Sequence, residues 1–232
     1  MRPFLTARWV DLCLFTYAVP PDVLAPRLPA GLSLDTRDGH AFVSLVAFDF
    51  LDTRVFGVGW PGFRNFPEIN LRFYVRQGDR RGVVFIRELV PLRTVAYVAQ
   101  AIYNEPYQAV QMESRVQRES GRIEAVHRLR VGRKVHRVRL LAADAPFRPS
   151  DDSVEHFFKE HRWGFGSDTQ GRATVYEVIH EVWNCYAVQE YSVELDWAVV
   201  YGDEWAFLQD ATPYHVAFAA GSPIEVYPRG AL

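Results

Sequence analysis

The sequence predicts a β-rich α+β fold, a large antiparallel sheet closed into a barrel or sandwich with a few flanking helices, and three observations carry that reading. Nine short runs rich in β-branched and aromatic residues follow one another closely, Gly, Pro, Asp or Ser clusters separate them, and only two longer segments keep a helical period. The 232 residues are 49% hydrophobic with a formal charge of −2. That content suits one core in a single domain spanning residues 1–232 and excludes disorder as the main theme.

In chain order the strand runs are 40–50, 69–75, 83–89, 109–117, 123–131, 135–141, 173–182, 191–200 and 224–227. Ser120-Gly121-Arg122 and Gly132-Arg133-Lys134 read as hairpin turns, since glycine tolerates the positive φ that tight turns demand. A helix is expected over 93–103, with Val95, Val98, Ala99 and Ile102 on one face and Pro106 beyond its end. A second is expected over 152–161, opened by Asp152 and Ser153 and followed by a loop at Trp163 to Gly166. A helical turn fits 21–27. No repeat, low-complexity tract or dividing linker is present.

The apolar run 9–19 is broken by Asp11 and lacks the charged leader of a signal peptide, and no stretch reaches the roughly 18–20 apolar residues of a membrane span. Cys13 and Cys185 are too few for a disulfide framework. The expectation is a reduced, cytoplasmic protein with no membrane partner. Of 26 basic residues only Lys134 and Lys159 are lysines. Residues 115–139 carry +7 and residues 140–232 carry −10. The basic strip gives a hairpin an arginine face, but the pI of about 6.4 and the lack of interleaved aromatics argue against nucleic acid. The strip reads instead as a solvated face, or one that meets the acidic final third of this or a neighbouring subunit, which hints at a homo-oligomer.

The most informative strand runs from Glu68 to Val75. Alternation puts Glu68, Asn70, Arg72 and Tyr74 on one face and Ile69, Leu71, Phe73 and Val75 on the other. The polar face either meets water or lines a cavity with a carboxylate and a guanidinium. The segment 103–108 joins a helix to a strand and sets Tyr103, Tyr107 and Gln108 beside Pro106, which suits either a binding wall or a turn with packed aromatics. His180, Glu181 and Cys185 do not form a metal or nucleophile motif, because successive strand residues face opposite ways and no other histidine pair has ligand spacing. No metal site and no cofactor is expected. There is no GxSxG, GxGxxG or P-loop.

Several segments together are familiar: WVDLCLFTYAVPPDVLAPRLPAGLSL from residue 9, FPEINLRFYV from 66, AIYNEPYQAVQM from 101, DSVEHFFKEHRWGF from 152 and HEVWNCYAV from 180. They resemble the YqjF-like family, domain of unknown function 2071, over nearly the whole chain. The resemblance implies the fold of acetoacetate decarboxylase, a β-cone or barrel with an internal cavity and a few flanking helices. In the decarboxylase a Gly-Phe-Pro-Lys-Lys segment follows a helix and supplies the Schiff-base lysine. Here Pro106 matches the proline, while Tyr107 and Gln108 stand where the lysines would be, and neither condenses with a carbonyl. Lys134 in a turn and Lys159 on an amphipathic surface helix are poor places for a desolvated amine, so imine chemistry is expected to be absent.

Glu68 falls in the strand that resembles the decarboxylase's carboxylate strand. The resulting expectation is a pocket for a small carbonyl- or carboxylate-bearing molecule. Catalytic roles fall to Glu68, Arg72 and Tyr107, and ligand contacts to Asn70, Tyr74, Tyr103 and Gln108. Any catalysis would be of the lyase, isomerase or hydratase kind. A sensing module without turnover and a structural, assembly role with a filled cavity stay open beside it.

Overall fold

The alternating runs join into one sheet in the computed structural model, which describes residues 2–232 apart from the side chains of residues 98, 99 and 101–103. The strands are β1 (Leu5–Val19), β2 (Ser33–Leu34), β3 (Ala41–Val55), β4 (Phe66–Gln77), β5 (Arg80–Val90), β6 (Tyr107–Ala109) and β7 (Gln111–Glu119). The chain continues with β8 (Arg122–Val131), β9 (Lys134–Phe147), β10 (Trp163–Ser167), β11 (Ala173–His180), β12 (Cys185–Glu194), β13 (His215–Val226) and β14 (Gly230–Ala231). The helices are α1 (Pro21–Leu24), α2 (Arg93–Tyr103), α3 (Val154–Lys159) and α4 (Trp197–Tyr201).

Neighbours run β14, β11, β10, β5, β4, β3, β1, β13, β12, β9, β8, β7, with β2 added to β4 and β6 to β5. A further pairing of β11 with β13, from Val178 opposite Val226 to His180 opposite Ile224, closes β13, β1, β3, β4, β5, β10 and β11 into a ring. From β13 the order continues through β12, β9, β8 and β7, which form an arm. Ile123, Ala125, Leu129, Val138 and Leu140 of that arm share a core with Trp197, Tyr201, Trp205 and Leu208. Two pairings, β5 with β10 and β5 with β6, are parallel, so the sheet is mostly rather than wholly antiparallel.

Long strands bend to make the ring. Register shifts in the β1–β3 pairing lie at Thr6/Arg8 and Val10/Cys13, and Asp11 and Asp52 take positive φ there. Such bulges curve a strand and raise its twist. Opposite them Gly221 has φ of 78°, and a Cβ at that position would lie 1.9 Å from the Trp9 carbonyl oxygen.

Most expected elements are present, and the departures have local causes. The run 9–19, left unassigned from sequence, is the greater part of β1; its near-continuous hydrophobicity reflects burial on both faces. The expected strand 191–200 is split, because Asp196 accepts from the Val199 amide at 3.1 Å and caps α4. The strand at 224–227 is the tail of the longer β13, and the loop expected at Trp163 is β10. Ser153 caps α3 by accepting from the His156 amide at 3.1 Å. Asn104 ends α2 in the left-handed region, φ 50°.

The basic strip is met within the chain. Arg139 donates to Glu124 at 2.6 Å and to Glu190 at 3.1 Å, Arg137 lies 3.8 Å from Glu194, and Lys134 pairs with Asp196. Among the described residues no helix is long and apolar enough to cross a membrane.

Candidate functional site

Both faces of β4 are buried. Ile69, Leu71, Phe73 and Val75 enter the main core, while Glu68, Asn70 and Arg72 line a cavity of about 680 Å³ inside the ring. The polar face read from the alternation therefore points into the protein. Asn70 stands opposite Glu88 in the β4–β5 register, and Glu88 stands opposite Tyr107 in the β5–β6 register. Three adjacent strands thus set Asn70, Glu88 and Tyr107 in one row, with Glu68 and Arg72 one step to either side on β4. A register shift at Leu71/Arg72 changes which β5 residues face inward, so Glu88 is followed on the cavity wall by Phe85 and Val83.

Glu68 is 2% exposed. Its Oε1 accepts from Asn70 Nδ2 at 2.9 Å and its Oε2 from the Tyr107 hydroxyl at 3.1 Å. Burial pushes its pKa up to about 7 despite these two donors and the nearby Arg72 guanidinium. Burial together with the neighbouring Glu68 and Glu105 carboxyls raises Glu88 well above the usual range, and its Oε2 has no partner. Burial raises Glu105 to about 8 against a hydrogen bond with Tyr176 and the charge of Arg229. Glu105 is held there because its flanks are pinned. Asn104 Nδ2 donates to the Ser167 carbonyl at 2.8 Å, and the Glu88 amide donates to the Pro106 carbonyl at 3.1 Å.

The opposite side of the polar end is cationic and imidazole-rich. Arg72 donates to the Phe158 carbonyl at 3.2 Å, and its Nε is buried without a partner. His161 lines the cavity with both ring nitrogens unpartnered; burial, then the charge of Arg72, drives its pKa well below the usual value, so it is a neutral ring. Lys159 also lines the cavity, its side chain 0% exposed and paired with Glu160. This corrects the expectation of a surface lysine: α3 ends at Lys159 and the backbone turns extended at Glu160, which carries the ammonium inward. Glu160 is fixed in turn by the Trp183 amide at 3.2 Å.

The other expected residues are distributed unevenly. Tyr74 is buried but does not line the cavity; its hydroxyl bonds Ser44 and the Phe158 carbonyl, and its ring lies 4.9 Å from that of His161. Gln108 is exposed, because alternation turns it away from Tyr107. Tyr103 lies outside the described side chains. His180 does reach the cavity wall, stacked 4.2 Å from Trp183. Among the described residues no group of three or more His, Cys, Asp or Glu side chains is arranged to hold a metal ion. The reading from sequence missed Glu88, Glu105, Lys159 and His161. For Glu88 the signal was faint, a carboxylate beside Arg87 in a run that is otherwise apolar from Val83 to Val90.

The family described as an uncharacterized conserved protein, domain of unknown function 2071, matches residues 6–223. The uncharacterized protein YqjF of Bacillus subtilis is 25% identical over 177 residues, covering 75% of this chain and 72% of that protein. Among solved structures, the enduracididine biosynthesis enzyme MppR complexed with pyruvate superposes with a TM-score of 0.67 at 14% identity, over 100% of this chain and 91% of that one. An acetoacetate decarboxylase-like enzyme from Sphingomonas wittichii RW1 gives 0.62 at 16% identity, over 100% and 94%. These likenesses establish an acetoacetate decarboxylase-like fold, and with the match over most of its length the chain belongs to the YqjF-like family, domain of unknown function 2071.

Proposed function

We propose that the cavity binds a small carbonyl- or carboxylate-bearing molecule and moves a proton on it. The observation that carries this is the convergence of three buried carboxyls, Glu68, Glu88 and Glu105, with Tyr107 and Arg72 on one wall of a single cavity. Buried polar groups normally pair fully within the protein, whereas here Arg72 Nε, Glu88 Oε2 and Asn70 Oδ1 do not. Arg72 supplies the cation for a substrate carboxylate. Glu68, poised near 7, takes a proton from the carbon beside the carbonyl. The C–H electron pair becomes the C=C bond of an enol as neutral Glu88 gives its proton to the carbonyl oxygen. Lys159, tied to Glu160, acts as a positioning group and not as an imine-forming nucleophile. The pyruvate complex of the MppR structure supports the ligand class.

The test is deuterium exchange into the methyl group of pyruvate in D₂O, followed by NMR, alongside calorimetric binding. The native chain exchanges, and Glu68→Gln binds with exchange reduced at least a hundredfold. Borohydride leaves no adduct on Lys159. Failure of pyruvate and acetoacetate both to bind would refute the proposal, and a trapped Lys159 adduct would replace the enol route with an imine. One feature favours a second reading, a sensing module: Glu68 is already tied by two fixed donors, Asn70 and Tyr107. Binding without exchange by the native chain supports that reading. The assembly role expected a filled cavity, and the volume of about 680 Å³ speaks against it.

A further inference from the structure

We propose that the ligand is amphipathic, its carbonyl or carboxyl head at the Glu68–Arg72 end and an extended acyl arm running along the aromatic part of the cavity to an opening at the β3–β4 turn. The head-group assignment rests on the function proposed above; the arm rests on separate observations.

The first observation is direction. Along β4 the cavity residues read Arg72, Asn70, Glu68, Phe66 toward the turn, a span of about 20 Å at roughly 3.3 Å per residue. Along β4 polarity ends at Glu68, and nearer the turn the only polar lining atoms named among the described residues as buried without a partner are the Thr53 hydroxyl and Trp9 Nε1. Beyond Glu68 the wall is Phe48, Phe50, Phe66 and Trp9, packed ring on ring, with Phe50 and Phe66 stacked 4.8 Å apart. A cavity of about 680 Å³ lies in the middle of the range for drug-sized ligands and far exceeds what a three-carbon acid fills.

The second observation concerns the opening. Phe56, Val58 and Trp60 line the same cavity and yet are 71%, 50% and 60% exposed. Residues that face both the cavity and solvent mark its mouth. Three large apolar side chains at a mouth admit and grip an apolar arm, whereas a polar small-molecule substrate gains nothing from them. Phe4 buttresses this rim, its ring 4.9 Å from that of Phe56.

The test titrates the full chain with butanoate, hexanoate, octanoate and dodecanoate, read by calorimetry and tryptophan fluorescence. Affinity rises about fourfold per methylene, the value for transfer of a buried CH₂, at least as far as octanoate. Dodecanoate competes with pyruvate, and Trp60→Ala, an exposed substitution that the fold tolerates, weakens dodecanoate more than butanoate. An affinity that does not grow with chain length overturns the arm, as does dodecanoate that leaves pyruvate affinity unchanged. The two readings fail separately: a flat series with intact proton exchange removes only the acyl arm, and a rising series with no exchange by the native chain removes only the acid–base chemistry.

Discussion

Replacing Glu68 with Gln should make the protein more stable at alkaline pH and leave it nearly unchanged near pH 5. Gln retains an oxygen for Asn70 Nδ2 and places its amide beside Tyr107, so packing at the wall is preserved. What changes is ionisation. In the unfolded chain Glu68 loses its proton near its ordinary 4.5, while in the folded protein burial delays that loss to about 7. Between those values the native state holds a proton that the unfolded state releases, so the stability conferred by the neutral acid is complete below 4.5 and is lost as pH rises through 7. At about 1.4 kcal/mol per decade of pH the full effect is about 3 kcal/mol, of which about 2.5 kcal/mol develops between pH 5 and pH 9. For a chain of this length that corresponds to a gain of roughly 5–10 °C in Tm for Glu68→Gln over the native chain at pH 9. Thermal unfolding by circular dichroism at pH 5, 7 and 9 reads it directly. Glu88 and Glu105 titrate with Glu68 as a set, so the native transition is broad, and the variant sharpens it. A Tm difference that is the same at all three pH values would mean that Glu68 ionises as a solvated carboxylate, and the buried acid wall would have to be abandoned.

Two further outcomes follow from packing. Gly164→Ala places a Cβ 2.1 Å from the Tyr176 ring across β10–β11. It should cost about 1–3 kcal/mol in denaturant unfolding, and a neutral result would show that Tyr176 swings freely. Lys159→Met leaves the Glu160 carboxylate without its ammonium in a mostly buried site, an expected loss of about 3 kcal/mol; Lys159→Met with Glu160→Gln recovers most of it, and non-recovery would mean that Lys159 stabilises through a different contact.

Much of this architecture was legible because β-strands write their geometry with a period of two. The sequence from Glu68 to Val75 alternates without a fault, and that alone separated a core-facing side from a side carrying Glu68, Asn70 and Arg72. The same rule hid Glu88. In β5 the register shift at Leu71/Arg72 interrupts the alternation, so Phe85 and Glu88 share a wall although they are an odd three positions apart, and no simple count from either end predicts it. His161 was hidden by the opposite error, a helical period carried past the end of a helix of only six residues, and Lys159 by reading the last turn of that helix as exposed when it is buried. Tyr74 shows the limit of alternation even where it holds: the face was right, but a polar side chain on a buried face can meet a neighbour's carbonyl as readily as a ligand, and here it meets Phe158 and Ser44.

The acid wall and the aromatic channel are linked by the same physical cause. A carboxyl keeps its proton near pH 7 only where solvation is poor, and for Glu68 the apolar wall begins with Phe66, two residues further along the same face of β4. The rings proposed to receive an apolar arm therefore also favour the neutral form of Glu68. Filling the channel with hydrocarbon lowers the local polarity further and strengthens the attraction between Arg72 and an anionic head, since charges interact more strongly as water is withdrawn. Under the proposed function the length of the ligand's arm and the ionisation of Glu68 are coupled quantities, and an arm too short to reach the rim leaves the polar end wetter and the proposed proton transfer slower.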